Sequence, residues 1–193
     1  MTLALAVVLL AATVVLLGAL VVLHVAPTGL SPVGEPVSRY ALTRWRAGYA
    51  VAAASAAVAG AAAGLLVPQR PAAVPALLWL FAAARALIPF FPMDAPGVEP
   101  TRHGSIHRVL AVIAFATVTL AAVFAATGLG DAGYPALSTL TRVCSALMIV
   151  GTIGTVVAAR APAVRPLFGL MERLIYLGMV VWFGILAIVF LAA

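Results

Sequence analysis

There is no lysine in these 193 residues, only five acidic side chains, and a single cysteine. Charged residues of both signs make up 8% of the chain, where a soluble domain carries about a quarter. So little charge cannot keep a folded domain in water when 65% of its residues are hydrophobic. A soluble globular protein is thereby excluded, and lipid is the solvent that suits the composition. The lone Cys144 excludes an intrachain disulfide. Inside an apolar run it reads as a small buried apolar residue. A basic start is missing too: "MTLALAVVLLAATVVLLGALVVL" lacks the positive segment of a signal peptide. Its apolar run of about twenty-two residues also exceeds the 7–15 of a signal core, so a retained span is expected. Every basic residue is arginine, and the formal charge is +6. These arginines stand beside the apolar runs, where the bias of membrane proteins toward basic loops on one side accounts for them. No nucleic-acid partner is expected.

Long apolar runs are what the chain has in abundance. Six are present: Thr2–His24, Ala47–Val67, Ala72–Phe91, Ser105–Ala126, Thr139–Ala159 and Leu174–Ala193. Each reaches the roughly 20 residues a helix needs to cross a hydrocarbon core of about 30 Å. They are continuous and rich in alanine and leucine rather than alternating, which favours helices over strands. The expected fold class is all-α, an integral membrane six-helix bundle forming one transmembrane domain over residues 1–193. The second run holds eleven alanines and the segment "GAAAG" at Gly60–Gly64. That spacing of small residues lets helix backbones approach closely.

The connections over residues 25–46, 92–104 and 160–173 are the long ones, and each carries prolines that interrupt helix. Three helical hairpins opening to one side are expected. Arg39, Arg44, Arg46, Arg102, Arg108, Arg160, Arg165 and Arg173 fall on that side, against Arg70 and Arg142 on the other. The positive-inside bias then places the long loops in the cytoplasm and both termini outside the cell membrane. Glu35, Asp94, Glu99, Glu172 and all three histidines share the arginine-rich side, leaving only Asp131 opposite. A topology bias explains arginine but not acids and histidines, so a functional site is expected there.

Candidate residues cluster in three places. "FPMDAPGVEPTRHGSIHRV" (Phe91–Val109) puts His103 and His107 four apart, on one helical face, behind Asp94 in a proline-bracketed loop. Two histidines and a carboxylate suit zinc or iron. The spacing lacks a completing motif, so no metal or other cofactor is assigned. Arg85 lies inside the third run, in "LLWLFAAARALIPFF". It either snorkels to the headgroups or faces the bundle interior and pairs with Asp94 or Glu172. Held inside, it presents a planar fork to a phosphate or carboxylate. Glu172 and Tyr176 share one face at the start of the last run. A carboxylate there needs a partner, with Arg85 and His107 the candidates. The first loop, "SPVGEPVSRYALTRWRAGY", interleaves Ser38, Arg39, Tyr40, Trp45 and Arg46 in a manner suited to the interface and to anionic headgroups.

"SPVGEPVSRYAL", "FPMDAPGVEPTRHGSIHRVLAVIAF" and "LFGLMERL" together resemble the family called domain of unknown function 998. Its members are small prokaryotic membrane proteins of about six spans. The resemblance points to Ser38, Tyr40, Pro92, Asp94, His107, Glu172 and Arg173; His103 departs from the pattern, and the family brings no established activity. The expectation is a polar pocket at the cytoplasmic end of the bundle, binding or acting on a membrane lipid or isoprenoid-like amphiphile. Arg85, Ser38, Arg39, Tyr40 and Arg173 are the expected ligand-binding residues, and Asp94, His107 and Glu172 the candidate general acids and bases. The alternatives are a small proton-coupled carrier, for which no inverted repeat or broken midplane helix is visible, and a non-catalytic membrane subunit.

Overall fold

A medium with no hydrogen-bonding partners forces each segment to satisfy its own backbone. The computed structural model describes residues 2–67 and 71–192 and meets that demand with helices. They are α1 (Thr2–Val25), α2 (Arg46–Leu66), α3 (Ala73–Leu87), α4 (Arg102–Asp131), α5 (Pro135–Arg160) and α6 (Phe168–Ala192). Short 3-10 segments at Val37–Leu42, Ile88–Phe90 and Arg165–Leu167 lie in the three long connections. No strand occurs among the described residues. The six helices, with α3 continued through Phe90, are long and apolar enough to cross a membrane. The chain is thus an all-helical, multi-pass membrane protein. Arg70 lies outside the described residues.

Several helices overrun their apolar stretches. α4 begins at Arg102 rather than Ser105, α5 at Pro135 rather than Thr139, and α6 at Phe168 rather than Leu174. Apolar runs mark only the hydrocarbon zone, whereas a helix continues until its hydrogen-bond ladder is capped. For α4 the cap is Thr101, whose Oγ1 accepts the Gly104 N–H at 3.0 Å. For α5 it is a proline in the first turn, where no backbone donor is lost. The consequence is that His103 and Glu172, like His107 and Arg173, sit on helices.

The helices form a closed ring. Each packs against its neighbours in the chain, and α1 completes the circuit against α6, which also reaches across to α2 and α4. In α1, Leu9, Leu16 and Leu23 are buried while Val7, Val14 and Val21 are exposed, two stripes of identical seven-residue spacing on different faces. α2 and α3 approach closely because Gly60 has no side chain: a Cβ there would collide with the Phe81 ring. Aromatic contacts fill the interior. Phe81 meets Phe183 at 6.1 Å between ring centroids, and Trp182 stacks on Phe183 at 5.2 Å. This layer fills the bundle without polar groups of its own apart from the buried Trp182 Nε1.

Candidate functional site

The polar interior begins where α6 enters the bundle. Glu172 and Arg173 are adjacent on this helix and leave it in different directions. Glu172 is buried, and its Oε2 accepts the Val37 N–H at 2.7 Å. Arg173 spreads its guanidinium over four partners. Nε donates to His24 Nε2 at 2.6 Å, Nη1 to the carbonyls of Glu35 (2.8 Å) and Gly169 (3.0 Å), and Nη2 to the Tyr40 hydroxyl at 3.3 Å. His24 in turn places Nδ1 on the Leu20 carbonyl at 2.5 Å. That assigns the proton to Nδ1 and leaves Nε2 as the acceptor, so the imidazole is neutral in this arrangement. Tyr40 packs edge-on to His24, with ring centroids 5.8 Å apart.

The first connection is therefore fastened across the end of the bundle by α6. Leu170 N–H adds a bond to the Val33 carbonyl at 2.8 Å. Arg39 pairs with Glu35, the one ion pair among the described residues. Ser38 Oγ reaches Met93 Sδ at 3.2 Å, tying the first connection to the loop before α4.

Arg85 is different in kind. It is fully buried on the inner face of α3, so snorkelling is overturned. Its guanidinium carbon stands 5.4 Å from the centre of the Tyr176 ring, a cation–π contact across α3 and α6. The expected ion pair with Asp94 or Glu172 is absent from the described residues. Instead Nε and Nη2 are both buried without a hydrogen-bond partner. These two nitrogens share one edge of the guanidinium, the edge that meets a carboxylate or phosphate with two parallel bonds. Tyr49 of α2 has a buried, unpartnered hydroxyl as well. Tyr49, Tyr176 and Glu172 lie within electrostatic range of Arg85, as does His107.

His107 is buried on α4 with Nδ1 on the Phe91 carbonyl at 2.7 Å. His103 is exposed and leans on the Phe91 ring, 5.7 Å between centroids. The two histidines thus separate, and no group of three metal-ligating side chains forms among the described residues. Asp94 joins neither. It is partly exposed, and its Oδ1 accepts the Thr101 hydroxyl at 2.6 Å and the Thr101 N–H at 3.2 Å. Its carboxylate lies against Gly104, where a Cβ would collide with it. The Thr101 hydroxyl, then its amide, with Arg108 and His107 beyond, hold the Asp94 carboxyl below its ordinary range. Asp94 is in effect the outer member of the α4 cap.

The candidates therefore fall into two groups. Arg85, His107 and Glu172 converge inside the bundle with Tyr176. Ser38, Arg39, Tyr40 and Arg173 build the cover above, and Asp94 sits aside on the start of α4. Sequence reasoning missed Tyr49 and the part His24 plays. Tyr49 carries a weak signal, a phenol at the edge of an alanine-rich helix. The His24–Arg173 bond joins positions 149 apart, and nothing local announces it.

No curated protein and no solved structure matches this chain. A family model does: protein of unknown function DUF998 matches residues 9–189, and on that span the chain belongs to this family.

Proposed function

We propose that this protein binds the anionic headgroup of a membrane amphiphile, a lipid or isoprenoid-type phosphate or carboxylate, with Arg85 as its principal contact. The observation that carries the reading is the buried Nε–Nη2 edge of Arg85, which has no partner in the fold. Leaving buried donors of a charged group unmade costs on the order of 1–3 kcal/mol each or more, so a protein retains such a group for what it will meet. Two parallel bonds from that edge fit two oxygens of one anionic group. The Tyr49 hydroxyl supplies a further donor, and the Tyr176 ring braces the cation from beneath. Ser38, Arg39, Tyr40 and Arg173 hold the cover over this end. The arginine-rich end is taken to face the cytoplasm, with both termini outside the cell membrane, on the positive-inside bias.

A catalytic use of the same site rests on His107. With Nδ1 committed to the Phe91 carbonyl, the neutral ring keeps Nε2 as its proton acceptor. It would serve as the general base beside Arg85, with Glu172 as the proton-carrying partner and Asp94 ordering the start of α4.

The test is the ligand that accompanies the purified protein. Protein extracted in mild detergent is expected to carry an anionic amphiphile detectable by mass spectrometry. Arg85→Gln should lose it, Arg85→Lys should retain a fraction, and both should remain monodisperse. Equal ligand content in wild type and Arg85→Gln would refute the reading.

A further inference from the structure

The outside of the bundle carries a groove in which Arg85 takes no part. Between α5 and α6 the surface sinks into a groove of about 380 Å³ lined by apolar side chains, among them Ile149, Ile153, Val157, Leu167 and Met171. On α5 its lining runs from Ile149 to Ala158, roughly 14 Å at 1.5 Å per residue. That is close to half of an approximately 30 Å hydrocarbon core, the depth of one leaflet. The groove lies over the last turns of α5 and ends under the 3-10 turn Arg165–Leu167, so it belongs to the leaflet on the arginine-rich side.

The connection that lends Val164 and Leu167 to the groove carries two arginines. Arg160 closes α5 and Arg165 opens the 3-10 turn, flanking the groove residue Val164. Both are exposed, and neither has a carboxylate within ion-pair distance among the described residues. Arg160 extends Nη1 back toward the Val156 carbonyl at 3.4 Å, which keeps the guanidinium near the helix end. An apolar slot one leaflet deep, with two uncompensated arginines within two residues of its lining residues Ala158, Val164 and Leu167, matches an amphiphile with one negative headgroup and a straight acyl chain. We infer that the α5–α6 groove is a binding site for an anionic phospholipid of the surrounding bilayer, its acyl chain along Ile153 and Val157 and its phosphate between Arg160 and Arg165.

The charge term sets the expected size of the preference. An arginine near an anionic lipid surface favours it roughly five-fold, so two give about 30-fold over a zwitterionic lipid of the same chains. The experiment is native mass spectrometry of the protein released from nanodiscs of equal phosphatidylglycerol and phosphatidylcholine. It is run in an Arg85→Gln background so that the interior site does not contribute. One retained phosphatidylglycerol, favoured about 30-fold, is the expected result. The pair Arg160→Gln and Arg165→Gln should abolish the preference while leaving chain occupancy, and Arg160→Lys with Arg165→Lys should restore it. Val157→Trp points outward and fills the slot, so it should remove the bound lipid with both arginines intact. Equal retention of the two lipids, or undiminished retention by Val157→Trp, would overturn the proposal. A dimer that Val157→Trp dissolves would also overturn it, because the groove would then be an interface between copies.

Discussion

Two arginines are drawn into the same end of this protein, one on α3 and one on α6, and the fold treats them oppositely. Arg173 is half-buried and donates to four partners, drawn from α1, the first connection and α6 itself. Arg85 is fully buried and leaves its Nε–Nη2 edge unpartnered, with the Tyr176 ring beneath the guanidinium. Charge does not separate them, and both stand near the arginine-rich end of a span. The separating feature is what the first connection brings within reach. Glu35, Tyr40 and His24 converge on Arg173, while Glu172, a carboxylate within electrostatic range of both arginines, is held by the Val37 N–H. A satisfied buried cation fastens structure; an unsatisfied one in the same low-dielectric interior carries a desolvation cost that the fold does not offset.

The contrast breaks most sharply at Arg173. Arg173→Ala strips partners from His24, Glu35, Gly169 and Tyr40 together, and the expected loss is about 3 kcal/mol or more of stability. Unfolding in detergent or loss of membrane-inserted protein measures it, and Arg173→Lys should rescue little because one ammonium cannot reproduce the planar fork. Arg85→Met should move stability the other way. Removing a buried charge with unmade bonds and keeping an apolar side chain of similar length is expected to leave stability unchanged or raise it by about 1–3 kcal/mol, while the bound amphiphile is lost. If Arg85→Met were as damaging as Arg173→Ala, the distinction between the two arginines would collapse.

The smallest effect belongs to the cap of α4. Thr101→Ala removes the hydroxyl that joins Asp94 to Gly104 and should cost about 1 kcal/mol. Asp94 adds a pH dependence of definite sign. Its carboxyl is held below the ordinary value of 3.8 in the fold, so its contribution is present above that value. Stability should fall as the pH drops through the lower folded value. Denaturation measured from pH 7 downward should show this fall in wild type and a flatter profile in Thr101→Ala.

Legibility followed the physics of each residue. The "GAAAG" segment was readable because small residues at that spacing have few uses in a membrane other than close packing, and Gly60 meets Phe81 as that predicts. Arg85 was readable as costly but not as unpartnered: sequence shows that a guanidinium enters the span, and says nothing of which carboxylates stop short of it. His103 and His107 looked like a pair. They parted because the side chains turn to different features of one residue, the Phe91 ring and the Phe91 carbonyl.

What the sequence determined by itself was the solvent, the number of spans and the arginine-rich side, because hydropathy and charge are sums over many residues and survive ignorance of any contact. It did not determine which face of a helix turns inward. In α1 the buried leucines and the exposed valines are equally at home in lipid, so periodicity carries no preference between them. Only tertiary structure closed the ring of six, led the first connection over α6, spent Glu172 on a backbone amide and left Arg85 with an open edge. Those outcomes depend on which surfaces fit one another, a property of whole helices that no single stretch of sequence holds.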